Sequence, residues 1–178
     1  MLKKSILVVL SGVFLLSSCS EDDITGTLKQ MKTTDANTGK YKAKTIDMPA
    51  QKDEGGSVTF YTDAGELVLT TDTAYTQSGT SSARYYFDDG DLVSVIQNEY
   101  TYNQPVYMTR ERAMQDGEKE WHDDTKTTKK TNSYYFYNGR MVKWIDDKGD
   151  AISDNNKKYD LQQAILLKDA EKIKKMAR

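Results

Sequence analysis

From residue 57 onward apolar and polar side chains alternate, the period of a strand with two unlike faces. Three stretches overlay without gaps: FYTDAGELV (60–68), YYFDDGDLV (85–93) and YYFYNGRMV (134–142). Each carries an aromatic pair, a turn pair ending in glycine, a polar residue and two apolar ones. The turn pairs are Ala64-Gly65, Asp89-Gly90 and Asn138-Gly139. Asp-Gly and Asn-Gly favour type I′ turns, in which both central residues take positive φ and the twist suits a hairpin. With Asp89-Gly90 at its tip, the second copy sets Phe87 opposite Leu92 and Tyr86 opposite Val93. The third sets Phe136 opposite Met141 and Tyr135 opposite Val142. On that register Tyr134, Phe136, Met141 and Ile145 share one face, and Tyr135, Tyr137, Val142 and Trp144 share the other. Both faces carry apolar bulk, so the hairpin should be central in the sheet and covered on both sides.

The turn glycines lie 25 and 49 residues apart, which leaves room for a degenerate copy around Asp116-Gly117. Strand-like EYTYNQPVYMTR (99–110) and KTTKKTNSYYFY (126–137) flank it. Pro105 marks the first as an edge strand or a bulge, and Lys126, Lys129 and Lys130 would guard an edge. The chain closes on a helix over about 160–176. Asp160 can cap it with Gln163 three residues on, and Leu161, Ala164, Ile165, Leu167, Ala170 and Ile173 supply an apolar stripe. The pattern therefore predicts an α+β domain over 46–178, an antiparallel β-meander of about six strands with one C-terminal helix. Ahead of it, 19–45 holds few large apolar residues (Ile24, Leu28, Met31, Tyr41) and reads as an acidic and polar tether with one helical turn near Thr27 to Met31.

The N-terminus has a different pattern. Lys3 and Lys4 precede Ile6 to Leu16, apolar except for Ser11 and Gly12. That run is too short to span a bilayer, which takes roughly 20 residues as a helix, and it matches the apolar core of a signal peptide over 1–18. Leu16-Ser17-Ser18-Cys19 resembles the lipobox of bacterial lipoproteins, in which the cysteine is acylated and becomes the first mature residue. The competing reading is a plain signal peptide beside a chance cysteine. One acyl chain anchors a protein only marginally and two or more do so stably. A lipobox cysteine carries several, so the resemblance implies a membrane partner reached through Cys19 alone. Ser20-Glu21-Asp22-Asp23 resembles the acidic signal with which Bacteroidetes lipoproteins reach the outer face of the outer membrane. The alternative is the periplasmic face of that membrane.

Composition narrows the chemistry. Removing Lys3 and Lys4 takes the formal charge from −2 to −4, and no basic cluster invites a nucleic acid. With Cys19 the only cysteine and His122 the only histidine, neither a zinc site nor a histidine-based nucleophilic set can be assembled. Calcium needs only oxygen ligands, and Asp146, Asp150 and Asp154 are weak candidates in a stretch without EF-hand spacing. No cofactor motif is present. Among 27 acids an unmarked carboxylate pair could serve a polysaccharide hydrolase, which is the alternative function. The leading expectation is a non-catalytic binding or structural envelope protein. Tyr100, Tyr102, Tyr107, Trp121 and Trp144 are candidate contacts for a protein or glycan, because rigid rings give contact area at small entropic cost.

Tyr85 to Val93, Tyr134 to Trp144 and the helix after Asp160 together resemble uncharacterised Bacteroidetes lipoproteins with repeated YYFxxGxLV hairpins and a short terminal helix. The resemblance implies a lipid-anchored β-rich domain and brings no catalytic residue with it. Radiolabelled palmitate fed to expressing cells should enter the wild-type protein and be absent from Cys19→Ala. Label retained by the variant would remove the lipid anchor.

Overall fold

The computed structural model describes residues 21–51 and 54–178. In chain order these form α1 (Glu21–Asn37), β1 (Lys42–Gln51), β2 (Glu54–Asp63), β3 (Glu66–Thr76), β4 (Gly79–Asp88), β5 (Asp91–Thr101), α2 (Arg110–Asp116), β6 (Thr128–Tyr137), β7 (Arg140–Ile145) and α3 (Lys157–Ala177). The strands make one open antiparallel sheet in the order β1-β2-β3-β4-β5-β6-β7. The fold is α+β with seven strands, not about six. The three glycine hairpins supply six of them, and β1 is the addition; the third hairpin, β6–β7, is covered on both faces but ends the sheet instead of lying at its centre, because no strand follows β7 to pair with it. Its sequence, KAKTIDMPAQ, has little apolar alternation. Backbone pairing to β2 from Lys42↔Thr62 to Met48↔Gly56 holds it at the edge. Lysines and a proline suit such a place.

All three tips adopt the expected backbone: φ is 49° at Ala64, 47° at Asp89 and 48° at Asn138, with Gly65, Gly90 and Gly139 also positive. Phe87 pairs with Leu92 and Phe136 with Met141. One residue further the register slips. Tyr86 pairs with Ser94 rather than Val93, Tyr135 with Lys143 rather than Val142, and Tyr61 with Leu69. Val68, Val93 and Val142 are thus the extra residues of three equivalent β-bulges. A bulge reverses side-chain parity beyond it. Trp144 therefore joins Tyr134, Phe136 and Met141 on one face, and Ile145 joins Tyr135 and Val142 on the other, the reverse of the simple alternation.

Helix α3 covers the first of these faces. Tyr159, Leu166, Ala170 and Ile173 are buried against Phe60, Phe87, Val95 and Phe136. Leu161 and Ile165, expected in the stripe, point outward at 64% and 43% exposure. The helix starts earlier than expected, with Asn156 as its cap, accepting from the Lys158 amide. Gln163 does not close a capping box. Its Oε1 accepts from the Met141 amide at 2.7 Å, and the Tyr159 hydroxyl donates to the Met141 carbonyl at 3.0 Å, which fastens α3 to the short edge strand β7.

Helix α1 covers the other face, and most of the segment read as a tether is this helix. Met31 and Thr34 are buried, and Ile24 packs with Leu69, Tyr86, Val93, Tyr135, Val142 and Ile145 around Met31. Near its end the Asp35 carboxylate meets the Arg84 guanidinium at 2.5 Å and accepts from the Tyr86 hydroxyl at 3.0 Å. A half-exposed ion pair of this kind contributes about 0–1 kcal/mol, so buried Met31 carries more of the attachment. No described helix is long and apolar enough to cross a membrane.

Strands β3 to β6 run on past both helices. The degenerate hairpin expected at Asp116-Gly117 is instead the end of α2: Thr109 caps its start, and Gly117, at φ 71°, closes its C-terminus. Strand β5 ends at Thr101, so Pro105 lies in a loop. Strand β7 reaches back only to Ser133. Thr128 to Asn132 of β6 is therefore a local edge, and Lys129 and Lys130 do stand on it. Met31→Ala should destabilise the domain by about 2 kcal/mol or more in a urea melt. An unchanged midpoint would mean that α1 adds nothing to the core.

Candidate functional site

The three glycine tips gather at one end of the sheet, and the excursion over 102–127 occupies the opposite end. It is fastened to the turn between β3 and β4. The Tyr102 amide donates to the Ser78 carbonyl at 2.9 Å and the Val106 amide to the Gln77 carbonyl at 3.0 Å. Gly79, the first residue of β4, allows this closeness, since a Cβ there would stand 2.2 Å from the Tyr100 carbonyl oxygen. Asn103 then pins the loop to itself. Its Nδ2 donates to the Trp121 carbonyl and its Oδ1 accepts from the Asp123 amide, both at 3.0 Å.

Cross-strand register sets Tyr75, Thr80, Tyr100 and Lys129 in one row, on the face that α1 covers nearer the tips. The Lys129 ammonium lies 5.4 Å from the Tyr100 ring centroid. The Tyr102 hydroxyl and Thr80 Oγ1 share a hydrogen bond of 2.7 Å. Thr80, Tyr100, Tyr102, Asp124, Thr127 and Lys129 surround an open hollow of about 490 Å³. Beside it Arg110 lies over the Trp121 ring at 5.3 Å and Arg112 over Tyr107 at 5.1 Å. Tyr75, Tyr107 and Trp121 stay 52%, 44% and 38% exposed, with Val106 and Met114 exposed as well. A guanidinium over a ring face holds the ring in place while leaving its other side to a partner.

His122 braces the loop from within. One ring nitrogen meets the Gln104 carbonyl at 2.9 Å and the other Asp124 Oδ1 at 3.0 Å, while its edge rests against Tyr102 with centroids 5.0 Å apart. The Gln104 carbonyl and then Asp124 favour the imidazolium, so its pKa is raised above the usual histidine value. Both nitrogens are committed, which makes His122 a fastener.

Tyr100, Tyr102, Tyr107 and Trp121 thus come together at this end. Trp144 does not. The bulge at Val142 turns it into the α3 core, where Nε1 donates to Asn132 Oδ1 at 3.0 Å and the ring lies 5.3 Å from Tyr134. Asp146 is likewise engaged, its Oδ1 accepting from the Lys148 and Asp150 amides at 3.0 and 2.9 Å around a tight turn. Among the described residues no group of three or more His, Cys, Asp or Glu side chains, those of Asp146, Asp150 and Asp154 included, is placed to hold a metal ion. Cys19 and Ser20 lie outside the described residues, and Glu21, Asp22 and Asp23 open α1. Sequence reasoning missed Tyr75, Thr80 and Lys129, which become neighbours of Tyr100 only through the pairing of four strands.

The fold and site define an open antiparallel meander between two helices, with an aromatic surface at its loop end. The chain matches no family model, no curated protein and no solved structure.

A group whose folded pKa is raised contributes stability below its unfolded value, and that stability is lost as pH rises through the folded value. The melting temperature of wild type should exceed that of His122→Gln most clearly below pH 6.5 and approach it in alkaline buffer. A difference that stays constant or widens with rising pH would contradict this role for His122.

Proposed function

We propose that this is a lipid-anchored outer-membrane protein that recognises a protein or glycan partner through the aromatic surface at its loop end, without catalysing a reaction. One observation carries the reading. Tyr75, Tyr100, Tyr102, Tyr107 and Trp121 come from three separate parts of the chain to a single end, and cations fix three of these rings with ring surface still open to solvent. Exposed aromatic and apolar groups gathered in one place are the usual mark of a recognition surface, and Tyr, Trp and Arg are the residues that dominate binding energies.

The address rests on Leu16 to Cys19 and on Ser20 to Asp23, with display at the cell surface preferred and the periplasmic face as the alternative. Helix α1 changes what such an anchor would do. Only Ser20 to Asp23 separate Cys19 from Ile24, the first of the described side chains to pack on the sheet. The five steps from Cys19 to Ile24 reach at most roughly 18 Å when extended. A domain acylated at Cys19 would therefore ride close to the bilayer.

The competing reading, a hydrolase of envelope or dietary polysaccharide, requires two carboxylates across a cleft. Asp72 and Asp169 are near one another, on the other face of the sheet. Capture from detergent-solubilised envelopes should recover a partner with the wild-type protein. Recovery should fall at least fivefold with Trp121→Ala or Tyr107→Ala, both of which should melt like wild type. A partner held equally by both variants, or polysaccharide turnover with no partner captured, would overturn the proposal.

A further inference from the structure

On the α3 face the aromatic core stops abruptly. Register places Phe60, Thr70, Tyr85, Val95 and Tyr134 in one row across the sheet. The next row outward is Val58, Asp72, Ala83, Gln97 and Asn132, and the one after it includes Ser81, Glu99 and Lys130. Small residues at 81 and 83 leave the floor low, and α3 raises a wall beside it at Asp169. Between them lies a trench of about 400 Å³ whose polar lining includes Asp72, Tyr85, Gln97, Glu99, Asn132 and Asp169. It is separate from the hollow at Tyr100, which opens on the opposite face.

The hydrogen-bonding capacity of this lining is unequally spent. Asn132 gives its oxygen to the Trp144 indole, so its amide hydrogens remain to donate. Asp72 Oδ1 is fully buried and has no hydrogen-bond partner. A buried acceptor in that condition is costly unless a donor arrives. Burial, followed by the nearby Asp169 carboxylate, raises the Asp72 pKa, and Lys172 opposes the shift. Burial likewise raises the Tyr85 phenol, so it remains a neutral hydroxyl. Lys130 stands opposite Glu99 in the register of β5 and β6, and the charge of Lys172 on α3 acts on Asp72 from outside the lining. Among the described residues no cluster of acids is placed to hold a metal ion, and the polar lining disfavours a hydrophobic ligand.

We infer that the trench between α3 and strands β3 to β6 binds a sugar unit, whose hydroxyls donate to Asp72 and Asp169 and accept from the Asn132 amide. Fixed donors and acceptors alternating over a pocket of this volume suit a neutral polyhydroxylated ligand. The site stands on the other face from the surface assigned to partner recognition and does not rest on that assignment.

The test uses the full-length protein in detergent and saturation-transfer NMR. The probes are glucose, galactose, mannose, N-acetylglucosamine and their β1,4-linked disaccharides, with spermidine beside them. At least one saccharide should bind saturably. Its affinity should fall tenfold or more in Asp72→Asn and in Asp169→Asn, with both variants melting within a few degrees of wild type. Asp169 lies on the helix surface, so its variant keeps the test valid if the Asp72 change disturbs the fold. Binding of spermidine alone, binding of no saccharide, or undiminished saccharide binding in Asp169→Asn would overturn the assignment.

Discussion

Both faces of the sheet are apolar near the glycine tips, and water has to be kept from both. A single helix can cover only one side. The aromatic pairs make the demand, because consecutive residues such as Tyr85 and Tyr86, or Tyr134 and Tyr135, point to opposite faces and are all buried. Helix α3 answers it on one side and α1 on the other. The valine bulges sharpen it further, turning Val68, Val93 and Val142 together with Leu69 toward α1. Without α1 that second core would be a broad exposed apolar patch on a monomer, a condition associated with aggregation.

This arrangement divides the molecule. Toward the tips the sheet is a three-layer structure with apolar interiors on both faces. Toward the loop end the same strands continue with polar and small residues, uncovered by either helix, and both hollows lie there. The trench is bounded by the side of α3, and the Tyr100 hollow by the loop over 102–127. Rigid strands hold both, so a ligand would meet largely preformed geometry. The loop owes its shape to backbone contacts with the β3–β4 turn and to His122 more than to apolar packing, which makes it the part most responsive to pH.

Charge has a smaller role in the fold than the count of 27 acidic and 25 basic residues suggests. The ion pairs are mostly exposed, and such pairs stabilise little. Asp35 with Arg84 and Tyr86 is the exception in kind, joining α1 to β4 through an ion pair and a phenol hydrogen bond. It orients α1, while Met31 and its neighbours hold it there.

The hairpins were legible in the sequence because a type I′ turn is a local steric demand. Asp89-Gly90 and Asn138-Gly139 meet it unaided, and the first cross-strand pair beyond each tip follows from it. The C-terminal helix was legible too, with Ala170 and Ile173 of its inward face, but the rest of that face was not, since Leu161 and Ile165 are as apolar as the residues that α3 buries. The tertiary structure alone decided the rest. Bulges depend on how neighbouring strands twist together, so the side of the sheet that receives Trp144 could not be read from alternation. Helix α1 is too polar to declare itself and becomes a core element only against a sheet that supplies the other half of its contacts. Tyr100, Tyr102, Tyr107 and Trp121 were visible as surplus rings, but their meeting with Tyr75, and that of Asp72 with Asp169, comes from strand order and helix placement. Turn chemistry acts between adjacent residues and is written in the chain. A surface or a trench exists only once distant residues have been brought together.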